Sequence, residues 1–278
     1  MTATGVTGRR ARGVSSFWSR ILVAALGLPL VIGLLWLGGW WLFLLAIVAG
    51  FVALHELYTM TRNLRPVVLA GYAGTLCALL GAQLGGLTWM LAGFMATLAF
   101  AFLLKGVADT SPPTTVSVGT TILGAGWIGL GLGHLLLLRD IPVHAQLATL
   151  TVVLAVFASD TAAYFVGRLF GRHKLAPQTS PGKTWEGFIG GTIVAILVPF
   201  FAMYEQGFLA DWQAVVLGIV IAIAAPVGDL FESAIKRDMH VKDTGTLLAG
   251  HGGMLDRIDA QLFAVVASFY VLVAYGVT

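Results

Sequence analysis

Six of the 13 acidic residues stand where a carboxylate is expensive: Asp160 and Asp229 lie within or at the edge of apolar runs, and Glu186, Glu232, Asp256 and Asp259 lie within a few residues of one. An ionised carboxylate at membrane depth is normally paired, protonated or bound to a cation, so each is a site candidate. In Ala225-Pro-Val-Gly-Asp-Leu-Phe-Glu-Ser-Ala-Ile-Lys-Arg237, helical spacing puts Asp229, Glu232 and Lys236 on one stripe with Ser233 beside them. Pro226 and Gly228 stand just ahead of that stripe, where they can break or kink the helix. In His251-Gly-Gly-Met-Leu-Asp-Arg-Ile-Asp259, a flexible turn precedes Asp256 and Asp259, which share a face if a helix begins there. Two acids from one helix and two from another are what Mg²⁺ or a similar hard cation bridging phosphates requires, because such cations select carboxylate oxygen. Lys236, Arg237, Lys242 and Arg257 would neutralise the phosphate charge. The plainer alternative is a set of salt bridges between these acids and the same bases. It suits Asp238 and Asp243, in their basic loop, better than Asp229 and Asp256 at membrane depth.

A second constellation lies upstream. Ser159-Asp-Thr-Ala-Ala-Tyr-Phe-Val-Gly-Arg168 spaces Asp160, Tyr164 and Arg168 at successive i+4 steps, so acid, phenol and guanidinium line one helix face. The following segment contains Gly182-Lys183-Thr184, yet Pro177 stands where the first glycine of a P-loop belongs and no strand is expected before it. What remains is a loop of Ser180, Gly182, Lys183 and Thr184 donors just before a helix, where backbone N–H groups and the helix dipole favour an anion. Ordinary cytoplasmic loop residues would look the same. His55 with Glu56 lacks the second histidine of a zinc-protease motif, and His134 and His144 flank an outer loop. No Ser/His/Asp order or Cys/His pair stands out, and the lone Cys77 excludes an internal disulfide and cysteine-based metal sites.

The elements that hold these groups are built for lipid. With 58% apolar and 10% charged residues among 278, and a mean hydropathy of +0.90, a water-soluble surface is excluded. Nine apolar runs, at about 21–37, 40–54, 67–83, 87–104, 116–138, 146–167, 187–204, 213–231 and 260–277, leave no room for a soluble domain if each span takes about 20 residues. The expected fold is all-α, a polytopic integral membrane protein with a basic segment at 1–20, N-terminal spans over 21–150 and a catalytic region over 151–278. The arginine-rich start resembles a signal peptide, but a second run follows directly after Gly38 and Gly39, which predicts an uncleaved hairpin of two spans. With the N-terminus inside, 15 of the 16 basic residues fall on one side and only Arg139 on the other, the bias of cytoplasmic loops. The net charge of +3 fits anionic headgroups or phosphates and needs no nucleic acid.

The stretch from Ser233 to Asp259, with Lys236-Arg237, Lys242-Asp243, His251-Gly252-Gly253 and Asp256-Arg257 at fixed spacings over 27 positions, closely resembles the signature of the CDP-diacylglycerol synthase (phosphatidate cytidylyltransferase) family. Ala249 departs from the proline or glycine of that signature, beside Gly250. Ser159-Asp160-Thr161 and Ser180 to Gly187 also look like family segments, so the resemblance runs from about residue 155 to the end. The first 150 residues are similar only as hydrophobic spans.

This resemblance implies a CTP-dependent nucleotidyltransferase that turns phosphatidate and CTP into CDP-diacylglycerol and pyrophosphate. It implies Mg²⁺, with K⁺ as an optional companion, and a homodimer in the inner membrane with its active site facing the cytoplasm. Asp229 and Asp256 would be the metal carboxylates, with Glu232 and Asp259 beside them. Lys236, Arg237, Lys242 and Arg257 would hold the β- and γ-phosphates, and Ser180 and Lys183 would cradle one phosphate group. Asp160, Thr184, Glu186, Ser233, Asp243, His251, Gly252 and Gly253 complete the substrate-binding set. A reading of another class is a cation-coupled transporter using Asp160 and Asp229 near the bilayer midplane, although no inverted repeat is visible and the charge is one-sided.

Overall fold

Apolar runs rich in Leu, Ala, Val and Phe favour helix, and in lipid only a helix satisfies every backbone polar group within one segment. The computed structural model, which describes residues 27–108, 113–245 and 252–277, is helical nearly throughout those residues. Helices α1 (Gly27–Leu37) and α2 (Gly39–Met60) are separated by Gly38, and Gly38 and the first residue of α2, Gly39, are both at positive φ. They are followed by α3 (Val68–Ala108), α4 (Thr114–Gly124) and α5 (Gly131–Arg139), the last two joined by a π-helical stretch, Ala125–Leu130. The C-terminal half comprises α6 (Ala145–Phe170), α7 (Trp185–Met203), α8 (Asp211–Asp238) and α9 (Leu255–Ala274). Among the described residues, seven helical stretches are long and apolar enough to cross a membrane.

Helix α3, at 41 residues, would be about 60 Å long if straight, twice the hydrocarbon thickness. It is not straight: Gly86 adopts φ 69°, ψ −156°, and the halves fold back on each other. Gly81 lies against the Trp89 backbone, Gly93 against the Cys77 backbone and Gly74 against Thr97, contacts that leave no room for a Cβ. The break expected between residues 83 and 87 is therefore present as a tight helical hairpin.

Two sets of turns gather at opposite ends of the bundle. At one end Arg139 donates from Nε to the Leu35 carbonyl (3.0 Å) and from Nη2 to the Trp36 carbonyl (2.7 Å), His144 stacks on Phe208, and Trp212 meets Tyr275. Arg139 thus covers the exposed carbonyls at the end of α1, a local reason for a basic residue at this end among the described residues. At the other end lie the α2–α3 turn, the α6–α7 connection and the α8–α9 connection.

Small residues set the closeness of the helices around the site. Gly187 and Gly191 of α7 face Ala163 and Ser159 of α6, and Gly228 of α8 lies on the backbone of Asp259 and Ala260 in α9. Pro226 does not break α8, which continues from Asp211 to Asp238; the proline costs one backbone donor and Gly228 serves the close crossing instead. The segment before α7, expected as loop, is instead a hairpin: β1 (Lys174–Ala176) and β2 (Ser180–Thr184) pair antiparallel, Lys174 opposite Thr184 and Ala176 opposite Ser180. The turn at Pro177 reverses the chain, and the eight strand residues leave the all-α class unchanged.

Candidate active site

A cavity of about 910 Å³ opens between α6, α7, α8, the start of α9 and β2. Its apolar wall includes Val156, Phe157, Phe188 and Ala222, whereas its polar floor carries five carboxylates, Asp160, Asp229, Glu232, Asp256 and Asp259, and four bases, Arg168, Lys183, Lys236 and Arg257. The close α8–α9 crossing at Gly228 brings the stripe of α8 against the first turns of α9.

The expected stripe on α8 is present. Lys236 Nζ lies 2.8 Å from Glu232 Oε2, one turn back, and 2.7 Å from Asp256 Oδ1 across the interface. Lys183 reaches from β2 to Asp229 Oδ2 at 2.9 Å and lies 3.5 Å from the Pro226 carbonyl. Asp256 also accepts from Gly253 N–H (2.9 Å), Thr244 N–H (3.2 Å) and the Thr244 hydroxyl (2.9 Å). Asp259 is 7% exposed and is a near neighbour of Glu232, which is 1% exposed. On α6, Tyr164 and Arg168 hydrogen-bond at 2.6 Å and line the cavity with Asp160, as their spacing predicts.

The structure brings Asp160, Ser180, Lys183, Thr184, Asp229, Glu232, Lys236, Asp256, Arg257 and Asp259 to one cavity and gives the other described candidates positions off it. Thr184 lines the wall, but its Oγ1 accepts from Gly187 N–H and caps α7. Glu186 and Arg237 lie off the cavity lining. Glu186 binds the N–H groups of Arg172 and His173 and the His173 ring (2.6 Å), and Arg237 donates to the Thr179 carbonyl (3.3 Å). Both therefore fasten the hairpin that carries Lys183. Ser233 is turned to Asp229 at 3.4 Å, and Lys242 and Asp243 are exposed and off the lining. Gly252, at φ 79°, and Gly253 shape the turn onto Asp256, and His251 lies outside the described residues. The Gly182-Lys183-Thr184 triplet forms the end of β2 itself rather than a loop after a strand, so the exclusion of a P-loop stands.

The donor set suits a hard cation: all the acids are oxygen ligands, and the buried Glu232 Oε1 has no hydrogen-bond partner. Among the described residues, however, no three His, Cys, Asp or Glu side chains converge on one point. Asp229, Glu232, Asp256 and Asp259 are therefore not assembled as one four-carboxylate cage. The physical reason is that Lys183 and Lys236 already hold Asp229 and the Asp256–Glu232 pair.

Two polar residues at the site are not among the residues that the sequence points to: Glu56 is set aside with His55 as an incomplete zinc motif, and Gln261 draws no notice. Glu56 on α2, 3% exposed, accepts from Met254 and Leu255 N–H at the start of α9. Gln261 lines the cavity and donates to the Val153 carbonyl at 3.1 Å. Each is one polar residue at the edge of an apolar run, and the signal available was the cost of burying it.

The model of the cytidylyltransferase family matches residues 18–275 of the chain. The phosphatidate cytidylyltransferase of Staphylococcus saprophyticus is 33% identical over 253 residues, covering 88% of this chain and 95% of that protein. That of Bacillus subtilis is 32% identical over 236 residues, covering 82% and 87%. That of Mycobacterium bovis is 32% identical over 296 aligned positions, covering 98% and 91%.

Proposed function

The chain belongs to the cytidylyltransferase family, and from that premise we propose that it transfers CMP from CTP to phosphatidate, giving CDP-diacylglycerol and pyrophosphate. The observation that carries the reading is one cavity with an apolar wall between α6 and α7 and a floor where the buried Glu232 and Asp259 lie beside half-buried carboxylates and lysines. A lipid with a phosphate headgroup matches that division: acyl chains lie along the wall and the phosphate reaches the floor.

The lipid phosphate is already an oxyanion, so the protein supplies no nucleophile and catalysis is alignment plus charge stabilisation. A phosphate oxygen bonds to the α-phosphorus of CTP, the bond from that phosphorus to the β-bridging oxygen breaks, and pyrophosphate carries the electron pair away. Lys183 and Lys236 stand where they can exchange a carboxylate partner for a phosphate oxygen, and Arg257 and Arg168 add positive charge at the rim. The lining carries five acids against four bases, and both substrates are polyanions, so bringing them together requires added cations. Asp229 and Asp256, with Glu232 and Asp259 beside them, would hold Mg²⁺, with or without K⁺, once bound phosphates engage Lys183 and Lys236. When bound, the metal would draw charge from the developing equatorial oxygens.

The same reading includes nine crossings, counting α1 and both halves of α3, with the N-terminus and the charged end of the bundle in the cytoplasm. In a bacterial cell this is the inner membrane, and a homodimer is the proposed assembly. Family membership does not favour cation-coupled transport. The test is purified protein with phosphatidate, labelled CTP and Mg²⁺: a lipid-linked CMP product and equimolar pyrophosphate are expected, both abolished by chelation. Their absence from protein shown to be folded would overturn the reading.

A further inference from the structure

We propose that Glu56, on α2 and far in the chain from the motifs that line the cavity, is a positioning residue that sets Asp256 and the first turn of α9; this rests on the cytidylyltransferase reading. Glu56 Oε1 accepts from Met254 N–H at 3.0 Å, and Oε2 accepts from Leu255 N–H at 2.9 Å and lies 3.3 Å from the Thr244 hydroxyl. Met254 and Leu255 open α9, whose N-cap has no side-chain bond of its own. The first N–H groups of a helix need outside partners, and the positive end of the helix dipole favours an anion there. Glu56 supplies both from a different helix.

The connection to Asp256 is short. The Thr244 hydroxyl that lies near Glu56 is 2.9 Å from Asp256 Oδ2, and one hydroxyl proton serves one acceptor at a time, so Thr244 stands as the spacer between two carboxylates. The Thr244 N–H also reaches Asp256, at 3.2 Å. A Cβ on Gly245 or Gly253 would run into the Glu56 carboxylate, so both segments wrap it with no slack. An α2 residue thereby sets the side chain that Lys236 engages and the backbone that aims Arg257 at the cavity. A change far from the chemistry that moves a reacting group by about 1 Å can cost on the order of 10²-fold in rate.

The experiment uses the full chain in detergent or vesicles with Glu56→Gln, Glu56→Asp and Thr244→Val. Glu56→Gln is expected to lower kcat on the order of 10²-fold while raising KM for CTP far less, with Glu56→Asp recovering part of the loss. Hydrogen exchange should quicken at residues 253–257 and stay unchanged across α6 and α7. Combining Glu56→Gln with Thr244→Val should lower kcat less than the product of the single effects, because both act through Asp256. Wild-type kcat per folded molecule, or unchanged exchange at 253–257, would overturn the proposal. If Glu56→Gln does not fold, Thr244→Val is measured in its place: a lowered kcat with faster exchange at 253–257 supports the proposal, and a wild-type value of either one overturns it. Were the wild-type chain to make no CDP-diacylglycerol, the activity reading would fall, and the exchange measurement would still decide whether Glu56 sets this turn.

Discussion

Asp229 and Asp256 are held with different tightness, so their asparagine variants should fail in different ways. Asp229 meets Lys183 and, weakly, Ser233, with a side chain 37% exposed. Asp229→Asn is expected to lose turnover with little change in thermal midpoint. Asp256 takes four donors, from Lys236, Gly253 and twice from Thr244, and an asparagine must turn its NH₂ toward one set of them. Asp256→Asn should therefore lose turnover and also about 1–3 kcal/mol of stability, read by thermal unfolding in detergent. Lys236 lies between two carboxylates that are 2% and 17% exposed, so Lys236→Met leaves buried charge uncompensated and should cost about 3–5 kcal/mol. A midpoint equal to wild type would show that water, not Lys236, solvates those acids.

At the scale of the elements, glycines decide how near the acids of one helix come to those of the next. Gly228 lies on the Asp259–Ala260 backbone, so Gly228→Val should push α8 from α9, separate Glu232 from Asp259, and abolish activity with a fall in thermal midpoint. Gly119 on α4 faces open space at ordinary φ, so Gly119→Ala is the matched control and should be neutral or stabilising by up to about 1 kcal/mol. Equal outcomes for the two would mean that helix propensity rather than close approach governs these positions. The β1–β2 hairpin is tied at its base by Glu186 and near its tip by Arg237. In the sequence Glu186 stands out as an acid beside an apolar run and Arg237 as a base for phosphate. Their side chains are spent on backbone groups, which spacing alone does not reveal.

For the whole molecule, the division of turns between two ends makes the orientation measurable. With Cys77→Ala as background, a cysteine at Val143 should react with an impermeant maleimide on intact cells, and one at Lys174 only after permeabilisation. The reverse pattern would place the charged cavity outside and remove its access to cytoplasmic nucleotide. CTP with Mg²⁺ should raise the thermal midpoint of the folded protein more than ATP or GTP with Mg²⁺, since a ligand stabilises the state it binds. Equal shifts would mean that the floor recognises triphosphate and not the base.

Much of this protein could be read from the order of its residues: the apolar runs, the glycine breaks at Gly38–Gly39 and near Gly86, and the α8 stripe of Asp229, Glu232 and Lys236. Those features are local, because helix periodicity, span length and backbone satisfaction act over one or two turns or one bilayer thickness. Tertiary structure alone decided the partners: Lys183 on Asp229, Lys236 on Asp256, and Glu56 on a turn 198 residues away. Those pairings depend on which helix faces cross at Gly187, Gly191 and Gly228, and a crossing is a property of two surfaces at once. A single buried acid such as Glu56 carries no period and no motif, so its role appears only when the chain closes around it.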